Sequence, residues 1–300
     1  MLNQSGLKKR AALLQAIRRY FSENDYIEVD TPVLLPAIIP ESYIEPERSE
    51  EKFLQTSPEI CMKRLLATGA SKIFQICKCF RHGERGRRHL TEFTMLEWYR
   101  VGINYHGLMD ECEEMLRLVA IDLGLGSTIH YANREIALDS PFERITVAEA
   151  FKRFAPISLD EALFNNSFDQ TLVEHIEPNL GLERPTFLYD YPASLGALAR
   201  LNKDDPWIAE RFELYAGGLE LANGFSELTD PAQQRKRFNH ERELIKEQGR
   251  DPGPMPEKFI EDLASMPEAA GIALGVDRLA MLVFDAESID EVVTFIPEEL

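Results

Sequence analysis

The sequence predicts an α+β fold in which an antiparallel sheet is flanked by helices. Three observations carry that reading. Lys72–Phe80 and residues 92–100 are two long strand-like runs, and the eleven residues between them are nearly all polar or glycine, as in a long hairpin. A second set of strand-like runs fills 208–228, with Ala216-Gly217-Gly218 as a turn signal. The helical stretches stand apart instead of alternating with the strands, which argues against a parallel βαβ sheet. At 300 residues the chain is expected to form one domain, 1–300.

The elements follow in order. Residues 7–21 are amphipathic, with Leu13, Leu14, Ile17, Tyr20 and Phe21 on the apolar side. The run YIEVDTP reads as a short strand that Pro32 ends while keeping Thr31 extended. Residues 35–51 are proline-rich and polar, hence a loop. A helix opens at SPE, with Ser57 as its cap and Pro58 in the first helical position. After the hairpin, 106–123 is a helix with Leu108, Cys112, Met115 and Val119 on one face. Residues 140–205 mix helical and extended patterns. A charged helix at 231–248 leads through DPGPMP to a strand at 271–274 and a buried helix at Val276–Phe284.

Composition narrows the function. The net charge of −18 disfavours wrapping a nucleic acid, although RHGERGRRH at 81–89 is a local basic island. Cys61, Cys77, Cys79 and Cys112 give no disulfide framework, so a reducing, cytoplasmic setting is expected. Cys77 and Cys79 lie in an alternating strand and read as structural. The six histidines form no metal-binding cluster. The apolar run 272–284 is broken by Asp277 and Arg278, so no membrane span is expected, nor is a secretory signal.

Three charged constellations stand out. Glu213 and Glu220 flank the turn of FELYAGGLE, and any even loop length puts them on one face. That face is either solvated or a site where hard oxygen ligands hold Mg²⁺ against phosphates. Glu227 falls out of phase, and a bulge at Asn223-Gly224 would turn it back. Arg81 ends a strand, placed either to grip a phosphate or to pair on the surface. Glu97 and Tyr99 share a face, as a polar pocket wall or an exposed strand. In GIALGVDRLAML, Arg278 opens an apolar helix and requires an anionic partner, for which a triphosphate is suited.

Together these stretches resemble a known family. FRHGERGRRHLTEFTMLEWYR is similar to motif 2 of class II aminoacyl-tRNA synthetases, GIALGVDRLAML to motif 3, and YIEVDTP with the preceding helix to motif 1. SPEICMKRLL, EFTMLEWY and LANGFSELTD resemble the lysyl-tRNA synthetase catalytic domain. Motif 1 begins within thirty residues of Met1, so no N-terminal anticodon-binding OB domain is expected. The chain thus resembles the stand-alone paralogues of the GenX/PoxA type, which activate (R)-β-lysine with ATP and transfer it to a lysine of elongation factor P. The acidic charge agrees with tRNA being no longer the main substrate. Alternatives are a synthetase-like enzyme charging tRNA or another small acceptor, and a catalytically silent regulatory paralogue.

The resemblance implies roles by position. Arg81 is expected on the α-phosphate and Arg278 on the γ-phosphate, as the catalytic arginines. Glu213 and Glu220 match Mg²⁺ ligands, with Glu220 also beside ATP. Gly275 lies by the nucleotide, and His89 and Glu84 by its adenine. Ser57, Glu59, Glu97, Tyr99, Asn223, Phe225 and Glu227 match the pocket for lysine or (R)-β-lysine. Motif 1 implies a homodimer. The chain departs from the family pattern at Gly83, where the glutamate is displaced to Glu84, at Leu90, which replaces an asparagine, and at Ala273, which replaces a glycine and is expected to reshape the amino-acid pocket.

Overall fold

The computed structural model describes residues 1–196 and 198–300. An eight-stranded sheet organises it. Its strands are β1 (Ile27–Glu28), β2 (Lys72–Phe80), β3 (Glu92–Val101), β4 (Glu143–Thr146), β5 (Thr186–Pro192), β6 (Ile208–Ala216), β7 (Leu219–Ser226) and β8 (Ala269–Gly275), in the spatial order β1-β2-β3-β8-β7-β6-β5-β4. The six central strands are antiparallel, as expected. The edges differ: β1 runs parallel to β2, and β4 parallel to β5. Each edge strand reaches its neighbour through a long connection that includes a helix, which a parallel pair requires. Residues 35–51 are not all loop, since Leu34–Leu35, Arg48–Ser49 and Lys52–Leu54 form a small three-stranded sheet.

The helices that bear on the site are α1 (Gln4–Glu23), α2 (Glu59–Ala67), α3 (Tyr105–Asp122), α4 (Pro231–Glu247), α5 (Glu257–Leu263) and α6 (Val276–Phe284). Asn3, Asn104 and Asp230 cap α1, α3 and α4 by accepting first-turn N–H groups.

Strand alternation sorts the sheet into two faces. Phe74, Leu96, Trp98, Ile272 and Leu274 point into the main core, against Phe21 of α1, Leu108 and Cys112 of α3 and Leu279 of α6. The opposite face is only partly covered, by Met62 and Leu66 of α2, Phe238 of α4 and Phe259 of α5 around Tyr99. On that face the register Gln75–Glu97–Ala273–Asn223–Glu213 draws one polar row across five strands.

The β6–β7 hairpin turns at Gly217-Gly218, with φ of +61° and +71°, the left-handed pair that a tight two-residue hairpin needs. Tyr215 faces Glu220, but Glu213 faces Asn223, so the pairing slips by one residue. The extra residue is Leu221, which is buried in the core beside Ala222. The bulge expected at Asn223-Gly224 therefore lies earlier. Gly224 instead makes room for a neighbouring ring, since a Cβ there would sit 2.6 Å from Phe212 Cζ. With the slip at Leu221, residues 223, 225 and 227 alternate onto the same face as Glu220 and Glu213.

Candidate active site

One end of the polar row is a buried acidic pocket. α2 opens at Glu59, one residue later than expected, and Ser57 Oγ accepts the Glu59 N–H at 3.0 Å. The same hydroxyl donates to Glu97 Oε2 at 2.7 Å, and Tyr99 Oη donates to Glu97 Oε1 at 2.5 Å. Burial pushes the Glu97 carboxyl up to about 8, with the Glu59 charge adding and the two hydroxyls and Lys63 opposing. Glu227 is 1% exposed, and burial raises its carboxyl also, against the pull of Lys63. Its Oε1 accepts no hydrogen bond among the described residues. A buried acceptor of this kind fits a cationic ligand.

Two neighbours of this pocket were not foreseen. The Lys63 ammonium lies against both Glu59 and Glu227, and 5.1 Å from the centre of the Phe225 ring. Burial opposes that charge, but Glu227 and Glu59 more than offset it and hold Lys63 up at about 12. The signal was present in the sequence: Glu59 and Lys63 are four apart on one helix. Gly271 is the second. A Cβ there would lie 2.5 Å from Glu227 Oε1 and closer still to Tyr99, so only glycine leaves room for both.

The other end of the row is richer in cations. Ala273 stands between Glu97 and Asn223. Asn223 Oδ1 accepts from Arg211 Nε at 3.3 Å, and Arg211 Nη2 donates to Glu213 Oε1 at 2.6 Å. The Tyr191 and Tyr215 hydroxyls donate to Glu213 Oε2, each at 2.6 Å. Burial raises the Glu213 carboxyl, Arg211 opposing and Glu220 adding. The half-exposed Glu220 accepts from Arg278 Nη1 at 3.0 Å. Arg278 Nη2 meets His89 Nε2 at 2.5 Å, and burial, then Arg278, lowers the His89 pKa. Glu177 joins them, pushed up to about 6 by burial and by Glu220 and Glu213. No sequence signal marked Glu177, because 140–205 lacks a clear period.

Arg81 approaches from the β2–β3 hairpin. Its guanidinium lies 5.1 Å from the Phe93 ring centre and 3.9 Å from Glu84. Its buried Nε donates to nothing among the described residues, which suits an anion. Gly83 takes a left-handed φ of +72°, and Leu90 turns into the main core. Gly275 opens α6, and the nearest atoms to a Cβ there belong to Arg278, at 3.8 Å. The two charges of the Asp277-Arg278 pair part company. Asp277 is buried, with Arg10 at 2.7 Å and the Thr94 N–H at 2.7 Å, whereas Arg278 turns to Glu220.

A profile of class II tRNA synthetases (D, K and N) matches residues 2–299. The chain belongs to the class II tRNA synthetase family. It is 40% identical to the elongation factor P--(R)-beta-lysine ligase of Vibrio atlanticus (strain LGP32), over 96% of this chain and 94% of that protein. Identity to the protein of the same name from Vibrio cholerae serotype O1 is 40%, over 97% and 95%. For that of Edwardsiella ictaluri (strain 93-146) it is 39%, over 97% and 94%.

In this class II synthetase chain, the sheet holds a cation-accepting pocket at one end of a row and two arginines at the other. Glu220 and Glu213 lie near Glu177, but Arg211, Tyr191 and Tyr215 engage Glu213 and Arg278 engages Glu220, and no group of three or more His, Cys, Asp or Glu among the described residues is placed to hold a metal ion.

Proposed function

We propose that the chain activates a lysine-like amino acid, (R)-β-lysine in particular, as its adenylate and transfers it to a lysine side chain of elongation factor P. The observation that carries this is the buried Glu97–Tyr99–Glu227 pocket, whose open acceptor at Glu227 Oε1 shares one sheet face with Arg81 and with Glu220, the partner of Arg278. The names of the relatives support the same acceptor.

In the first half-reaction the amino-acid carboxylate attacks the α-phosphorus of ATP. Arg81 neutralises charge that develops on the α-phosphate, and Arg278 holds the departing pyrophosphate. To do so Arg278 exchanges its bond with Glu220 for phosphate oxygens. Mg²⁺, when bound by Glu220 and Glu213, supplies further neutralisation of the triphosphate. His89, kept neutral by burial and by Arg278, offers an uncharged ring near the adenine. No side chain acts as a nucleophile, so catalysis is positioning and electrostatics. Ala273 places a methyl between Glu97 and Asn223, where an amino group shifted by one carbon is discriminated. The exposed apolar Ile27 and Leu34, near the motif 1 segment, support a homodimer, and a cytoplasmic location follows from the acceptor.

ATP–pyrophosphate exchange with α-lysine and with (R)-β-lysine tests the activation step. Exchange with neither amino acid overturns the enzyme reading. Label transfer to elongation factor P, compared with tRNA, tests the acceptor. Charging of tRNA in preference supports the synthetase-like alternative instead.

A further inference from the structure

A cavity of 460 Å³ lies beside the site, between the segment 38–48, Phe53 and the end of α4 with the connector that follows it. His82, the residue after Arg81, lines it. Its wall is acidic. Glu47 is engaged by His82 Nδ1 at 2.9 Å, and Asp251 by Arg48 at 3.0 Å. Arg250 bonds to Gln248 and the Ser42 carbonyl. Glu41 and Glu45 also line it, yet neither carboxylate makes a hydrogen bond or ion pair among the described residues. Glu41 is the one on which charged groups of the site act. Arg81 and Arg211 face it from the sheet, Glu59 from α2 and Glu241 from α4. Its loop is anchored, because the Ser42 N–H donates to Glu241 Oε2 at 2.7 Å.

We propose that this cavity admits the acceptor lysine and that Glu41 takes the proton from its ammonium. The proposal rests on the reading that the chain acylates a protein lysine. An ammonium has no lone pair to attack with. Transfer of one N–H proton to the Glu41 carboxylate frees the pair, which attacks the carbonyl carbon of the adenylate. The bond from that carbon to the phosphate oxygen then breaks, and AMP leaves with the electron pair. A second proton leaves the nitrogen to solvent as the amide forms. Burial pushes the Glu41 carboxyl up to about 7, Glu59 and Glu241 adding and the two arginines opposing. A carboxylate so tuned is a better base near neutrality than an ordinary one.

Single-turnover transfer from preformed (R)-β-lysyl adenylate to elongation factor P tests this, with hydroxylamine capture as the comparison. Hydroxylamine arrives uncharged at neutral pH and needs no base. In Glu41→Gln the ratio of acceptor transfer to hydroxylamine capture is expected to fall about 100-fold. Glu41→Asp is expected to recover part of it. The wild-type transfer rate is expected to rise through an inflection at about 7, which Glu41→Gln removes. An unchanged ratio, or transfer and pyrophosphate exchange falling together, overturns the proposal, the latter because Glu41 then supports Arg81. If the variants do not fold, a flat wild-type profile across that range overturns it. Wild-type enzyme that activates the amino acid but acylates no lysine refutes the acceptor reading instead.

Discussion

Lys63 and Glu227 form an ion pair with both side chains almost wholly buried, at 1% and 0% exposure. A lysine of the chain thus shares the carboxylate that is proposed to receive the ligand's ammonium. Removing the ammonium by Lys63→Met leaves Glu59 and Glu227 crowded and uncompensated. The expected loss is about 3–5 kcal/mol, from denaturant unfolding above the Glu227 pKa of about 8. The loss is expected to shrink on acidification, as Glu227 takes up a proton, and on addition of the amino acid. A variant as stable as wild type above that pKa would show that Glu227 carries no charge for Lys63 to compensate.

Glu97 gives the pocket a pH signature. Its folded pKa, about 8, is above the ordinary 4.5, so the folded state binds more protons between those values. Stability is then expected to fall as pH rises from about 4.5 to about 8, by at most about 1.4 kcal/mol per pH unit. Glu97→Gln should flatten that slope in urea titrations. An ammonium ligand that ionises Glu97 releases a proton, measurable by calorimetry in buffers of different ionisation enthalpy.

Gly271→Ala tests the close approach at the pocket floor. The added methyl must displace Tyr99 or Glu227, and overpacking of this kind costs about 1–3 kcal/mol. The amino-acid KM in pyrophosphate exchange is expected to rise much more than the ATP KM. Equal changes in both would mean that the sheet, not the pocket, has given way.

The two ends of the row are expected to separate kinetically. Glu227→Gln weakens amino-acid binding far more than ATP binding. Arg278→Ala lowers exchange at saturating amino acid by about 100- to 1000-fold. Losses of the same kind in both variants would place Glu227 with the phosphate-binding groups.

Much of this was legible from pattern. Lys72–Phe80 and Val276–Phe284 begin and end where strand alternation and the apolar run placed them, and two-residue spacing put Glu97 and Tyr99 together. What was hidden depends on tertiary contact. The four-residue spacing sets Lys63 beside Glu59, but only the fold brings Glu227 to it from the end of β7. Glu177 and Glu41 lie in segments without a period, so nothing local aims them. The parallel edges arise from long connections whose paths no local residue preference sets. The bulge was expected at the more permissive glycine, but Gly224 was already committed to Phe212.

The bulge at Leu221 makes the length of this strand count for more than its composition. Glu220 and Glu227 are seven positions apart, yet they behave as an even interval because one residue is taken out of the alternation. Deleting Leu221 leaves an interval of six and keeps both carboxylates on one face. Deleting a single residue between Asn223 and Glu227 makes the interval six with the bulge still present, and turns Glu227 into the apolar core. Amino-acid binding should survive the first deletion and vanish with the second. The strand therefore carries one position where its length can drift, and beyond it a stretch where even a neutral-looking indel is a loss of function.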